Sequence, residues 1–119
     1  MKRVLVACER FGVVRDAFIA AGFDAWSCDL HPDDRGSVYH VQQDVKRFIE
    51  TKFYGQEDWD LIIMHPPCTA LAVSGNAHYS YGKPKWNERL EAVEWTKKLW
   101  EAACEASDKV CMENPVGIL

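Results

Sequence analysis

The 119-residue chain reads as one α/β domain, residues 1–119, built on a mainly parallel five-stranded sheet covered by helices. Two observations predict this. Short runs rich in β-branched residues alternate with segments of helical periodicity. Glycine or proline follows several of these segments, and the alternation suits right-handed crossovers. An apolar share of 48% and a charged share of 27% fit a single modest core rather than a disordered chain.

The elements follow in order. Lys2–Cys8 is a buried first strand. Gly12 turns the chain into a helix over Val13–Ala21, which Gly22 stops. Asp24–Asp29 is the second strand, His31–Ser37 a loop, and Val38–Gln42 a weak third strand. Val45–Phe53 forms a short helix. Asp60–His65 is the clearest strand, and Pro66-Pro67 ends it. Ser74–Pro84, with two glycines and a proline, reads as a mobile loop. Asn87–Ala106 is a long amphipathic helix carrying Leu90, Val93, Trp100 and Ala103 along one face. Lys109–Glu113 is the fifth strand.

The net charge of −4, from 14 basic and 18 acidic residues, argues against a free-standing nucleic-acid-binding domain with a broad basic face. Any grip on nucleic acid is then local. The cluster Lys83, Lys85 and Arg89 beside the predicted loop is the candidate for phosphate contact. The longest apolar run, Leu61–Met64, is far too short for a bilayer, so no membrane partner is expected. The N-terminal apolar run is too short for a signal peptide, which makes the cytoplasm the expected compartment. Five cysteines, at 8, 28, 68, 104 and 111, lack a C-x-x-C pattern and do not suggest a disulfide framework. Cys8, Cys28, Cys104 and Cys111 read as core thiols. His65 and Cys68 are three apart with His78 nearby, but no second pair completes a ligand set, and no metal site is expected.

In parallel sheets, ligands sit beyond the carboxyl ends of the strands. The residues there are chemically rich: Cys8-Glu9 and Gly12 after the first strand, Asp29 after the second, Asp44 after the third, His65-Pro66-Pro67-Cys68 after the fourth, and Glu113-Asn114 after the fifth. Asp29 and Asp44 also stand where carboxylates commonly cap a turn or a helix start.

The segment Pro67-Cys68-Thr69-Ala70-Leu71-Ala72-Val73-Ser74-Gly75 resembles the nucleophile loop of DNA cytosine-5 methyltransferases, in which Pro-Cys-Gln is followed by Phe-Ser and Gly. Val110-Cys111-Met112-Glu113-Asn114 resembles the Glu-Asn-Val segment of the same family, at a similar spacing. Gln43-Asp44-Val45 is similar to its Gly-Asp-Ile segment, and Asp29 matches its acidic ribose-binding position. The likeness runs over nearly the whole chain and is closest to short, phage-borne proteins of this kind, which would place it in the host cytoplasm.

The resemblance implies a Rossmann-like three-layer sandwich of strand order 3-2-1-4-5. It further implies transfer of a methyl group from S-adenosylmethionine to C5 of cytosine in DNA. Cys68 would be the nucleophile and Glu113 the acid that orients the base. Gly12, Asp29 and Asp44, with Glu9 and Pro66, would line the cofactor site. Pro67, Ser74 and Asn114, with Lys83 and Lys85, would meet the substrate. The chemistry suits these residue types. A thiolate adding to C6 makes C5 an enamine-like carbon able to attack the methyl, and it leaves again easily. A carboxyl group at N3 and the exocyclic amine stabilises the charge that develops. In a duplex the base must first leave the stack.

The chain departs from the family pattern in four places. Its first motif, Cys8-Glu9-Arg10-Phe11-Gly12-Val13, carries one glycine where the family has several. Thr69 replaces the usual Gln, and Pro115 stands where Val is common. The family's arginine-bearing motif, target-recognition region and last cofactor-wall helix have no counterpart before Leu119. The fifth strand is therefore expected to be an open edge through which copies of the chain could pair. A non-catalytic module of the same fold, holding S-adenosylmethionine, another nucleotide or a protein partner as an accessory or inhibitory factor, is the alternative. An inert fragment, or a small nucleotide hydrolase or glycosyl-transferring enzyme on a similar sheet, are further rivals.

Overall fold

The computed structural model describes residues 2–51, 58–66 and 76–113, without the side chains of 76 and 77. Five parallel strands form one sheet: β1 (Arg3–Ala7), β2 (Asp24–Asp29), β3 (His40–Gln42), β4 (Leu61–Met64) and β5 (Val110–Met112). Their order is β3-β2-β1-β4-β5, as expected.

Alternation along the strands sorts the core into two layers. Val4 and Val6 of β1, with Ala25, face α1 (Val13–Ala20) and pack against Val14, Phe18 and Ile19. Leu5 and Ala7, with Ile62 and Met64 of β4, face the other way, toward Val45 and Ile49 of α2 (Val45–Glu50) and Leu99, Ala102 and Ala103 of α4 (Trp86–Ala106). The chain moves leftward from β1 to β2 under α1 and rightward from β3 to β4 to β5 under α2 and α4. Right-handed crossovers require these opposite faces. The point where direction reverses lies between β1 and β4.

Local chemistry fixes the helix ends. Gly22, in the left-handed region at φ 93°, closes α1. Its N–H donates to the Ile19 carbonyl at 3.0 Å, and Phe23 N–H donates to the Phe18 carbonyl at 3.0 Å. The Phe18 and Phe23 rings meet edge to face at 5.5 Å over this closure. Asp44 caps α2 by accepting from Arg47 N–H at 2.9 Å.

Five expectations change. The helix expected over Val45–Phe53 ends at Glu50, because Thr51 is extended and its N–H closes the last turn on the Arg47 carbonyl. The third strand starts at His40 rather than Val38, because Val38 and Tyr39 turn outward and stay exposed. Within the expected loop, Asn76–Tyr79 forms a helical turn, α3. The buried face of α4 follows the apolar stripe only at Ala103: Leu90 is 48% and Trp100 40% exposed, while Arg89, Thr96, Leu99 and Ala102 are buried beside Ala103. Two polar residues on the inner face hid its phase. Thr96 fits there because its hydroxyl donates to the Ala92 carbonyl at 2.7 Å, and Arg89 stands over the Tyr79 ring. Finally, Cys104 and Cys111 are exposed rather than core thiols. Cys111 lies on the α1 side of the edge strand, on the opposite face from α4.

Candidate active site

The carboxyl ends of the strands collect the expected groups in two halves. Across β1, β2 and β3 lie Cys8, Glu9, Cys28, Asp29 and Asp44. Cys8 leaves β1 in the left-handed region, φ 61°, and its N–H donates to the Cys28 carbonyl at 2.8 Å. Burial pushes the Cys8 thiol up to about 12, helped by the negative charges of Asp29 and Asp44. Asp29 is level with Gln42, and Gln43 N–H donates to the Asp29 carbonyl at 3.0 Å, so Asp44 follows directly after the rung that ends at Asp29. Burial likewise raises the Cys28 thiol to about 12, with Cys8 and Asp29 adding to it; its sulfur contacts the Gln43 carbonyl at 3.4 Å. Asp29 Oδ1 accepts from His31 N–H at 2.8 Å and Asp44 Oδ1 from Arg47 N–H, so each does serve as a local cap.

Glu9 and Gly12 are engaged elsewhere. Gly12 starts α1 at φ 74° with no side chain to cap it. The cap comes from Glu9, whose Oε1 accepts from Val14 N–H at 2.7 Å and Oε2 from Arg15 N–H at 3.1 Å. A Cβ on Gly12 would overlap the guanidinium of Arg15, so this glycine makes room for a side chain of its own domain.

Arg15 is 1% exposed and was not among the sequence candidates. Its guanidinium donates to Asp16 at 2.9 Å, to Asp33 Oδ2 at 3.1 Å and to Ser27 Oγ at 3.0 Å. Ser27 Oγ meets His40 Nδ1 at 2.7 Å, and His40 Nε2 meets the His31 carbonyl at 2.9 Å. This chain ties the loop after β2 to α1. Burial opposes the charge on Arg15, but its hydrogen bonds to Asp16 and Asp33 outweigh it and hold the guanidinium above its ordinary value. Asp33 is held below the usual carboxylate value, first by the N–H of Arg35, then by Ser37 N–H and Arg15, against its own burial.

The second half lies across β4 and β5. The ladder continues one residue past both strands: His65 N–H donates to the Ala7 carbonyl at 3.0 Å and Glu113 N–H to the Met64 carbonyl at 2.9 Å. Met64 is level with Met112, so His65 and Glu113 are neighbours on one face. Their side chains meet, His65 Nδ1 to Glu113 Oε2, at 2.8 Å. The Glu113 side chain is 77% exposed, whereas His65 Nε2 is buried and finds no hydrogen-bond partner among the described residues. Pro66 follows, buried. Cys68, Pro67, Ser74 and Asn114 lie outside the described residues.

Lys83 and Lys85 are exposed, at the start of α4. Lys85 lies 5.5 Å from the Tyr79 ring centre, and Tyr81 meets Trp86 edge to face at 5.5 Å. A 21-residue helix is about 31 Å long, against about 13 Å for a four-residue strand. In a right-handed crossover the helix runs antiparallel to the strands. Its inner contacts with the core come near its C-terminal end, at Leu99–Ala103, so its N-terminal turns overhang the carboxyl rim of the sheet. Lys85 is the residue at the N-cap of α4, and Lys83 precedes it by two.

The arrangement thus brings together Asp29 with Asp44, and the β4 exit with Glu113, on either side of the point where strand order reverses. Sequence reasoning weighed His65 only as a metal ligand; its place one residue past β4, level with Glu113, was the signal that would have found the pair. Comparison of the chain with protein-family models, with curated proteins and with solved structures gives no match.

Proposed function

We propose that the chain transfers a methyl group from S-adenosylmethionine to C5 of cytosine in DNA. The observation that carries the reading is the adjacency of the β4 and β5 exits. Glu113 ends one, and the other runs through Pro66 into Cys68, three residues beyond His65 and so within about 11 Å of it along the chain. The Pro-Cys and Glu-Asn segments thereby start from neighbouring strand ends, as a slot for one pyrimidine ring requires.

In this reading the Cys68 sulfur adds to C6 of the ring. Glu113 has a second carboxylate oxygen with which to orient the exocyclic amine while Oε2 stays on His65. Lys83 and Lys85, exposed just before α4, would meet phosphates. Asp29 and Asp44, at the paired ends of β2 and β3, fit the ribose hydroxyls and adenine amine of the cofactor, each with one oxygen already on a backbone N–H. The cofactor supplies an electrophilic methyl on a sulfonium. Glu9 and Gly12 do not fit that role: both oxygens of Glu9 cap α1, and Arg15 covers Gly12.

That second fact favours one rival, a non-catalytic module with an altered cofactor pocket. The two are separated by incubating the folded protein with labelled S-adenosylmethionine and unmodified DNA, and by calorimetry with the cofactor alone. Methyl transfer predicts label on cytosine, abolished by Cys68→Ala. Cofactor binding with no label on DNA rejects catalysis and supports the module. Neither binding nor transfer rejects both.

A further inference from the structure

β5 is the last strand of the sheet, and among the described residues nothing pairs with its outer edge. The ladder to β4 shows which groups that edge presents. The Lys109 carbonyl accepts from Ile62 N–H at 3.0 Å, and Glu113 N–H donates to the Met64 carbonyl at 2.9 Å, so these residues turn their backbones toward β4. By alternation Val110 and Met112 turn theirs outward. The side chains alternate as well. Val110 and Met112 lie against the core on the α4 side, and Lys109, Cys111 and Glu113 lie on the opposite face, all three exposed. The five residues therefore read cation, apolar, cysteine, apolar, anion, an order complementary to its own reverse. An antiparallel copy of the same strand matches such an edge.

We infer that two copies of this chain pair antiparallel through β5, about a two-fold axis at Cys111, joining their sheets edge to edge. The pairing goes beyond methyl transfer and does not depend on it. In this register Val110 and the partner's Met112 exchange both backbone hydrogen bonds, and Met112 and the partner's Val110 do the same. Lys109 stands opposite the partner's Glu113, and Glu113 opposite the partner's Lys109, at positions where facing side chains come closest. An axis moved to Val110 or Met112 loses both ion pairs. The Glu113 side chain is 77% exposed, and its carboxylate has lone pairs beyond the one that His65 uses. On the other face the two α4 helices run antiparallel to each other on the same side of the joined sheet. A hollow of about 240 Å³ walled by Thr96, Lys97, Trp100, Glu101 and Met112 lies there, where the partner's Val110 comes level with Met112. The same contact covers Trp100, which is otherwise exposed to water. Lys97 and Glu101, of opposite sign, each gain a complement from the partner helix.

The test needs neither cofactor nor DNA. Sedimentation equilibrium of the whole chain in reducing buffer, at about 100 μM protein so that micromolar pairing is visible, should give twice the monomer mass. Lys109→Glu and Glu113→Lys should each weaken pairing about tenfold or more, because either change turns two attractions into two repulsions. Mixed in equal amounts, the two variants should pair as well as the wild type, since every like-charge contact becomes an opposite one in the mixed dimer. Oxidation with diamide should link the wild type through Cys111 of both copies, whose α-carbons would lie about 4.5 Å apart, within the span of a disulfide. Cys111→Ser should abolish that link, and Cys104→Ser should leave it. Far-UV circular dichroism checks that each variant is folded. A monomer at that concentration, the result when something other than a second copy covers the edge, overturns the inference. So does a dimer that the charge reversals leave unchanged, or one that links through Cys104 instead of Cys111.

Discussion

The guanidinium of Arg15 lies over the bare α-carbon of Gly12, clamped there by Asp16 and Asp33. The glycine answers two demands at once, a left-handed φ of 74° and an absent side chain.

Gly12→Ala should therefore cost about 2 kcal/mol or more: about 1 for the left-handed backbone and the rest for displacing a buried ion pair. Urea unfolding measures it. The cost should shrink in an Arg15→Ala background, and full additivity of the two changes would show that they do not touch.

Glu9 holds two backbone N–H groups at the start of α1. Glu9→Ala should lower stability by about 1–3 kcal/mol, and Glu9→Gln by roughly half as much, since one acceptor survives. Chemical denaturation of the three proteins gives the order; a neutral Glu9→Ala would remove the cap from the account.

The two raised thiols make an alkaline prediction. Cys8 and Cys28 keep their protons in the fold up to about 12, whereas the unfolded chain releases them near 9.0. The folded state binds more protons in that window, so stability is full below it and falls as pH rises through it. Melting temperatures from pH 8 to pH 10.5 should decline more steeply in the wild type than in Cys28→Ala. Parallel declines would contradict the burial argument.

At the acid end the sign reverses. Asp33 has a lowered value in the fold, so its contribution is present above the ordinary carboxylate value and disappears as pH falls through the folded one. Asp33→Asn should be clearly less stable than the wild type at pH 7, with the gap closing below about pH 3. Urea midpoints at the two pH values decide it.

Much of this architecture was readable from residue patterns, because the relevant signals are local. β-Branched runs mark β1, β2 and β4, and Gly22 ends α1 through a closure made within six residues. The misreadings share one cause, dependence on distant partners. Arg15 looks like a solvated helix residue until Asp33, 18 positions on, is brought to it. The inner face of α4 includes Arg89 and Thr96, which no apolar stripe would select. Among the described residues Cys111 has strand neighbours on one side only, which its own sequence context does not reveal. Within the rim, the carboxylates were legible as residues after strands. That Glu9 would cap a helix while His65 took the place beside Glu113 depended on register, which a single chain does not spell out.

The pairing of His65 with Glu113 hangs on the last rung of the ladder, the Glu113 amide on the Met64 carbonyl. β5 is three residues long, so the loss of one rung removes a large part of its hold. Solvent exchange at that single amide thus reports how often the pair comes apart.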